Sequence, residues 1–370
     1  MLRHAPGSVR DSVVEFLTST ESASIHEIQE AVESRIGEVA PSSVRSYLNL
    51  NVPELFERVA RGRYRLAGKQ NGHSVAQEPE QWQCEKATLY HADCFDWLRA
   101  QPSHSIHAVV TDPPYGLVEY TSKEQSKLRN GKGGIWRIPP SYDGHQRAPL
   151  PRFTVLTEDD RAVLRLFFLD FGRLLTRVAV PGANILVASN PLLAHVVAAA
   201  MSEAGLEMRG YLTRLVMTMR GGDRPKNAHE EFQDVSVMPR SMAEQWVMLR
   251  TPIEGRVQDN LRKWGTGGFR RPSADRPFGD VIKSRPTPPN EKEIAPHPSL
   301  KPQAFLREVV RGVLPLGEGV VLDPFAGSGS TLAAANTVGY RSIGVERDRA
   351  YLEMAKSAIP LLAKVPVKED

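Results

Sequence analysis

The residues with the most chemistry in this 370-residue sequence lie in one short run, Val109-Val-Thr-Asp-Pro-Pro-Tyr-Gly116. An apolar strand-like stretch ends there in Asp112, two prolines and an aromatic, at the strand end where open α/β sheets keep their ligand crevices. Pro113 and Pro114 fix the backbone and leave carbonyl oxygens that no local N–H claims. A carboxylate beside such a carbonyl can accept both hydrogens of an exocyclic amino group. That bends the nitrogen toward tetrahedral geometry and recovers a lone pair otherwise delocalised into the base ring. Tyr115 can stack on an extruded base. A nitrogen activated in this way can take a methyl group from a sulfonium by in-line displacement, with no metal needed.

A second run, Leu322-Asp-Pro-Phe-Ala-Gly-Ser-Gly-Ser-Thr331, follows another apolar strand and opens a helical pattern. Gly327 and Gly329 permit a sharp turn and close approach to a ligand. Glu346 ends the next strand, where a carboxylate can accept both hydroxyls of a ribose. Leu332 stands where a dinucleotide fingerprint would have its third glycine, so the pair points to a nucleoside cofactor of another kind.

Together these motifs resemble those of the amino-group DNA methyltransferases, and the order, catalytic motif first and cofactor motif last, is similar to their β class. His297-Pro-Ser-Leu-Lys-Pro302 resembles the family's His-Pro-Thr-x-Lys-Pro segment, and His91-Ala-Asp-Cys94 its Gly-Asp-Cys turn, with Ala92, Ser299 and Leu300 as departures. The resemblance runs from about Thr88 to the C-terminus. It implies that Asp112, Pro113, Pro114 and Tyr115 hold the target base. It also implies that Asp323, Phe325, Ala326, Gly327 and Gly329 line the methionine side of S-adenosyl-L-methionine, and that Glu346 binds its ribose. Asp93 would meet the cofactor's adenine, and Lys301 with Ser299 would border the same pocket. Asp93 is also a good N-cap for a helix opening at Phe95, a role it would have in any protein.

The elements that must position these residues are those of an α/β, Rossmann-like methyltransferase domain with circularly permuted motif order, preceded by a small winged-helix-like domain. Short apolar runs predict strands at Thr88–His91, Ile106–Thr111, Asn184–Ala188, Gly319–Asp323 and Ser342–Glu346, with helical stretches around Arg161–Arg177 and Leu192–Ala204. Residues 1–69 read as three helices and a hairpin, with Ser24 and Ser42 as helix caps. A linker at 70–86, a catalytic half at 87–220, a basic insert for target recognition at 221–296 and a cofactor half at 297–370 complete the expected layout.

Charge indicates where DNA would lie. The chain carries a net charge of +4, too little to announce a nucleic-acid binder by itself, but residues 117–152 alone hold +4 and residues 251–301 another +4. The first segment interleaves Lys123, Lys127, Arg129, Lys132 and Arg137 with aromatics, and the second contains Arg262, Lys263, Arg270 and Arg271. Arg61 and Arg63 sit on the expected wing. The implied partner is double-stranded DNA.

Two cysteines, Cys84 and Cys94, are too few for a disulfide framework or a four-ligand zinc site, which suits a reducing cytoplasm; no metal site is expected. No signal peptide or membrane span is expected either, since the longest apolar patch is broken by Arg165, Asp170, Arg173 and Arg177. In the family this chain resembles, an Asp heading the tetrad is more usual among adenine methylators and a Ser among cytosine amino methylators, so the resemblance implies adenine N6 over cytosine N4 as acceptor. An RNA or protein amino methyltransferase, or a non-catalytic winged-helix regulator, are the alternative functions. A companion restriction endonuclease and the choice between monomer and homodimer stay open.

Overall fold

The protein is described here by a computed structural model, which covers the chain outside residues 1–7, 38, 40–43, 46, 49–54, 61, 68–78, 115–140, 143–144, 147–157, 217–223, 226, 238, 240–241, 298 and 368–370. It divides into two compact units, Met1–Glu78 and Pro79–Asp370. The first contains α1 (Ser8–Ser19), β1 (Ala23–Ser24), α2 (Ile25–Ile36), a helical segment around Val44–Leu48, and the hairpin β2 (Phe56–Ala60) and β3 (Arg63–Leu66). Ser24 caps α2 through a reciprocal capping box: Glu27 N–H donates to its hydroxyl at 3.2 Å and Ser24 N–H to the Glu27 carboxylate at 2.6 Å. Val13, Leu17, Ile28, Val32, Val44, Leu48, Phe56 and Tyr64 close a core of their own. The three strands pair in the order β1-β3-β2, so β1 adds a strand to the expected hairpin. The second expected cap, Ser42, lies outside the described residues.

The second unit begins with β4 (Gln81–Cys84), β5 (Ala87–His91), α3 (Cys94–Ala100) and β6 (Ile106–Thr111), then the short pair β7 (Ser141–Tyr142) and β8 (His145–Gln146). There follow α4 (Glu158–Val178), β9 (Ala179–Ser189), α5 (Ala194–Glu203), β10 (Glu207–Val216), β11 (Ala243–Arg250), α6 (Val257–Trp264), β12 (Val281–Ser284) and α7 (Pro289–Ile294). The chain closes with α8 (Gln303–Val313), β13 (Val320–Asp323), α9 (Ser330–Val338), β14 (Arg341–Glu346) and α10 (Arg349–Leu362). One sheet takes the order β12-β10-β11-β9-β6-β13-β14-β5-β4. Its middle strands β9, β6, β13, β14 and β5 are parallel, while β11 runs antiparallel between β9 and β10. Alternation along β6 shows why both faces are covered: Val109 packs toward α3, α4 and α5, while Ala108 and Val110 pack toward α8 and α9.

Two expected boundaries move. The segment read as linker to residue 86 contains β4, which pairs with β5 as the sheet's edge. Alternating Gln81, Gln83 with Trp82, Cys84 gives a half-exposed edge strand that reads as polar chain. The segment read as an insert at 221–296 contributes β11 and β12 to the main sheet, with Trp246, Val247 and Leu249 buried. Its charges disguised it: Arg250 is buried against Glu207 of β10, and Arg214 of β10 against Glu244 of β11 at 2.9 Å. Opposite charges paired across neighbouring strands read as surface in the sequence, yet they enter the sheet together.

Candidate active site

Four acids stand at the carboxyl ends of four adjacent parallel strands. Asp112 follows β6, Asp323 ends β13, Glu346 ends β14 and Asp93 follows β5. Register aligns them: Leu322 pairs with Val109, Asp323 with Gly344 and Glu346 with His91. The parallel sheet therefore gathers residues from both ends of the sequence onto one edge.

Each acid is held differently. Asp323 is buried and accepts from the Thr111 hydroxyl at 2.7 Å and from Phe325 N–H at 3.2 Å. Burial pushes its carboxyl up to about 6, against the hydrogen bonds from Thr331, Thr111 and Phe325 N–H that favour the anion; the nearby Asp112 adds to the rise. Glu346 accepts from Gly327 N–H at 2.8 Å and Asp348 N–H at 2.7 Å; burial raises its carboxyl and these backbone donors oppose the rise. Asp93 caps α3, accepting from Phe95 N–H at 2.8 Å, while its other oxygen faces Arg347 at 4.0 Å. The cap is thus realised, and one carboxylate oxygen is committed to it.

Asp112 is ion-paired with Lys301, whose ammonium also lies 3.6 Å from Glu244. Burial alone would lower the Lys301 ammonium, but Asp112 and Glu244 carry it above the ordinary lysine value. Lys301, expected beside the cofactor, has its charge on the catalytic-motif acid instead. Ser299 serves through its backbone: its N–H donates to His297 Nδ1 at 3.2 Å, and its carbonyl lies 3.5 Å from Lys301 Nζ. His297 packs edge-on against Tyr351 at 4.5 Å and is kept neutral-leaning by burial.

The glycine-rich loop folds as its sequence requires. Gly327 and Gly329 have φ of +51° and +76°, and Ala326 N–H donates to Val345 O at 3.0 Å, tying the turn to β14. A Cβ on Gly327 would come within 3.2 Å of His297, and one on Gly329 within 2.5 Å of Ile359. Packing of the chain against itself thus already demands Gly329, whereas at Gly327 the left-handed backbone is the stronger constraint. The Phe325 ring turns away into an aromatic cluster, 6.1 Å from Phe167 and 5.5 Å from Phe171, so its backbone N–H faces the site more than its ring does.

The basic residues divide. Tyr115, Lys123, Lys127, Arg129, Lys132, Arg137 and Arg61 lie outside the described residues. Arg63 is turned onto Glu27 at 3.4 Å and the Ser22 carbonyl at 3.1 Å, away from the outward phosphate contact expected of a wing. Arg262, Lys263, Arg270 and Arg271 are not brought to the acids. Trp264 of α6 packs on Ala179, Val180 and Ala183 at the start of β9 and on His104 just before β6, and Arg270 donates to Tyr340 just before β14 at 2.7 Å. These residues sit at the amino end of the parallel strands, the end opposite Asp112. Arg262 and Lys263 are ion-paired with Asp259 and Glu254, while Arg271 donates to the neutral Ala274 carbonyl. Glu244 and Arg214 carry weight at the site without any sequence motif to mark them, and Thr111, although inside the first motif run, is given no role by it; its bond to Asp323 reveals it.

A row of strand-end carboxylates, a glycine turn bonded to one of them, and a carboxylate–proline pair on the neighbouring strand define an S-adenosylmethionine-dependent methyltransferase. Glu346 suits ribose hydroxyls and Asp323 an ammonium group, so the residues present fit that cofactor. Residues 202–357 match the model of the DNA methylase family. The chain is 22% identical over 292 residues to the type II methyltransferase M.HindIII of Haemophilus influenzae, covering 72% of this chain and 93% of that one. It is 23% identical over 278 residues to M2.LlaDCHI of Lactococcus lactis subsp. cremoris, covering 74% and 90%. Among solved structures, the PvuII DNA methyltransferase (cytosine-N4-specific) superposes with a TM-score of 0.50 at 12% identity over 80% of this chain and 92% of that one. The M1.HpyAVI–SAM complex gives 0.44 at 17% over 73% and 98%. The protein is an amino-group DNA methyltransferase.

Proposed function

We propose that this chain methylates N6 of adenine at a specific site in double-stranded DNA, acting in the cytoplasm beside a companion restriction endonuclease. The observation that supports this reading best is Asp112 itself: a carboxylate at the end of β6, charge-paired, next to the strand end that carries Asp323. Asp112 and the Pro113 carbonyl accept the two amino hydrogens of the flipped base, and Tyr115 stacks on its ring. S-adenosylmethionine supplies an electrophilic methyl group when bound. Asp323 holds the cofactor's ammonium, Glu346 its ribose, and the Asp93 oxygen turned toward Arg347 reaches its adenine. Lys123, Lys127, Arg129, Lys132 and Arg137, following the tetrad directly, neutralise DNA phosphates. The names of the two type II relatives support site-specific action and the companion nuclease.

Purified protein incubated with methyl-labelled cofactor and mixed-sequence duplex DNA, followed by digestion to nucleosides, is expected to put label in N6-methyladenosine. Label in N4-methylcytosine would correct the base, and label only in RNA or protein would overturn the reading. Asp112→Ala is expected to slow transfer by at least about 100-fold, the scale of removing one hydrogen-bond partner of the transition state, while cofactor binding persists.

A further inference from the structure

We infer that Lys301, backed by Glu244, is the positioning residue that fixes the Asp112 carboxylate for transfer, and that it does not bind cofactor or base. The inference rests on the methyltransferase reading above and adds to it a residue of the transfer step.

The argument starts from donors and acceptors. A lysine ammonium has three N–H donors and accepts nothing. Three acceptors surround that of Lys301: the Asp112 carboxylate, the Ser299 carbonyl at 3.5 Å and the Glu244 carboxylate at 3.6 Å. Its side chain is only 11% exposed, so its three donors are turned mainly toward those acceptors.

Glu244 is in turn held by two donors. It accepts from Arg214 at 2.9 Å and from the Trp246 indole at 3.1 Å. Arg214 is itself held by the Ser284 hydroxyl at 3.0 Å, by the Arg285 carbonyl at 2.9 Å, and over the face of Phe305 at 5.3 Å. Charges alternate along the line Asp112, Lys301, Glu244, Arg214, so each inner member is compensated on both sides. One end of the line is the residue that follows β6, and the other is the sheet edge formed by β10, β11 and β12. Asp112 lies just past the last residue of β6, and this line ties its carboxylate to that edge.

The consequence is a division of labour. A carboxylate that must accept an amino hydrogen in a fixed direction loses rate if it can rotate. Lys301 holds that direction through the ion pair, without touching the reacting atoms. A cofactor-binding lysine would affect affinity; a positioning lysine affects the rate of transfer alone.

The test compares Lys301→Met, Lys301→Arg and Glu244→Gln in the full chain. Lys301→Met is expected to lower kcat at least about 100-fold while S-adenosylmethionine Kd and DNA KM stay within about twofold, and Lys301→Arg to restore at least about tenfold of the loss. Glu244→Gln is expected to lower kcat about tenfold, again at constant Kd. A kcat within about twofold of the parent, or a Kd that rises while kcat holds, would overturn the inference and return Lys301 to the cofactor. The charge coupling is also read without turnover, by a double-mutant cycle of Asp112→Asn and Lys301→Met in chemical denaturation. The expected interaction is at least about tenfold in the unfolding equilibrium, because Lys301→Met alone leaves a carboxylate that is only 16% exposed without its cation. Additive effects would overturn the pairing. If parent protein leaves DNA unlabelled, the proposed function fails while the cycle still decides the pairing.

Discussion

Asp323 hydrogen-bonds to Thr111 and Phe325 while buried to 4% exposure, and its carboxyl titrates near 6. The folded protein holds this proton more tightly than the unfolded chain, whose carboxyl has the ordinary value of 3.8. The group therefore contributes its full stability below about pH 4 and loses it as pH rises through 6, a change of about 3 kcal/mol. Asp323→Asn is expected to raise the melting temperature of the cofactor-free protein at pH 8 and to leave it unchanged at pH 4. A melting temperature that falls at pH 8 would mean that the carboxylate is stabilised there. The same carboxylate must be charged to hold an ammonium, so cofactor affinity is expected to fall as pH drops through about 6. Calorimetry in buffers of different ionisation enthalpy would register proton release on binding in that range. At this scale Asp112, Asp323 and Glu346 were legible because each ends an apolar run, where a carboxylate has no reason to follow a row of core residues unless something meets it. Glu244 and Arg214 were not, since a paired charge within a strand has the same letters as a surface charge.

The glycine turn shows how elements constrain the site. Gly329 stands at the N-terminus of α9 with φ of +76°, and Ile359 and Ala355 of α10 occupy the space where its Cβ would be, at 2.5 and 3.3 Å. Gly329→Ala combines a left-handed backbone penalty of about 1–2 kcal/mol with overpacking of about 1–3 kcal/mol, and is expected to cost about 2–5 kcal/mol in denaturant unfolding even without ligand. A neutral result would place the demand for glycine with the cofactor alone. Trp246 of β11 makes the complementary case. It is buried among Leu186, Leu212 and Phe305, and its indole donates to Glu244. Trp246→Ala is expected to cost about 3–5 kcal/mol in the same denaturant unfolding. The central strands were legible as continuous apolar runs, as expected for a parallel sheet covered on both faces. β4, β11 and β12 were not, because edge exposure and cross-strand ion pairs give them polar sequences, and a reading based on hydrophobic runs assigns such segments to loops.

Across the whole molecule the net charge of +4 is partitioned, with +4 in residues 117–152 and +4 in residues 251–301. Within 251–301, Arg262 and Lys263 are matched by Asp259 and Glu254, and with Arg270 and Arg271 they lie at the amino end of the parallel strands, away from the acids. Phosphate binding is favourable when it releases counterions, and a cation already paired with a carboxylate has few to release. Replacing Arg262 and Lys263 by alanine together is therefore expected to leave the slope of log affinity against log salt for duplex DNA unchanged. Replacing Lys123, Lys127, Arg129, Lys132 and Arg137 is expected to flatten it by up to about 4.5, at about 0.9 for each phosphate that is no longer neutralised. Equal flattening by both sets would mean that DNA reaches around the sheet to its amino end. The first unit offers an independent check, since it closes its own core and turns Arg63 and Arg65 onto Glu27 and Glu57. Residues 79–370 alone are expected to bind cofactor like the full chain and to keep a salt slope within about 1 of it; a slope lower by several would show that the N-terminal unit neutralises phosphates through residues other than these paired arginines.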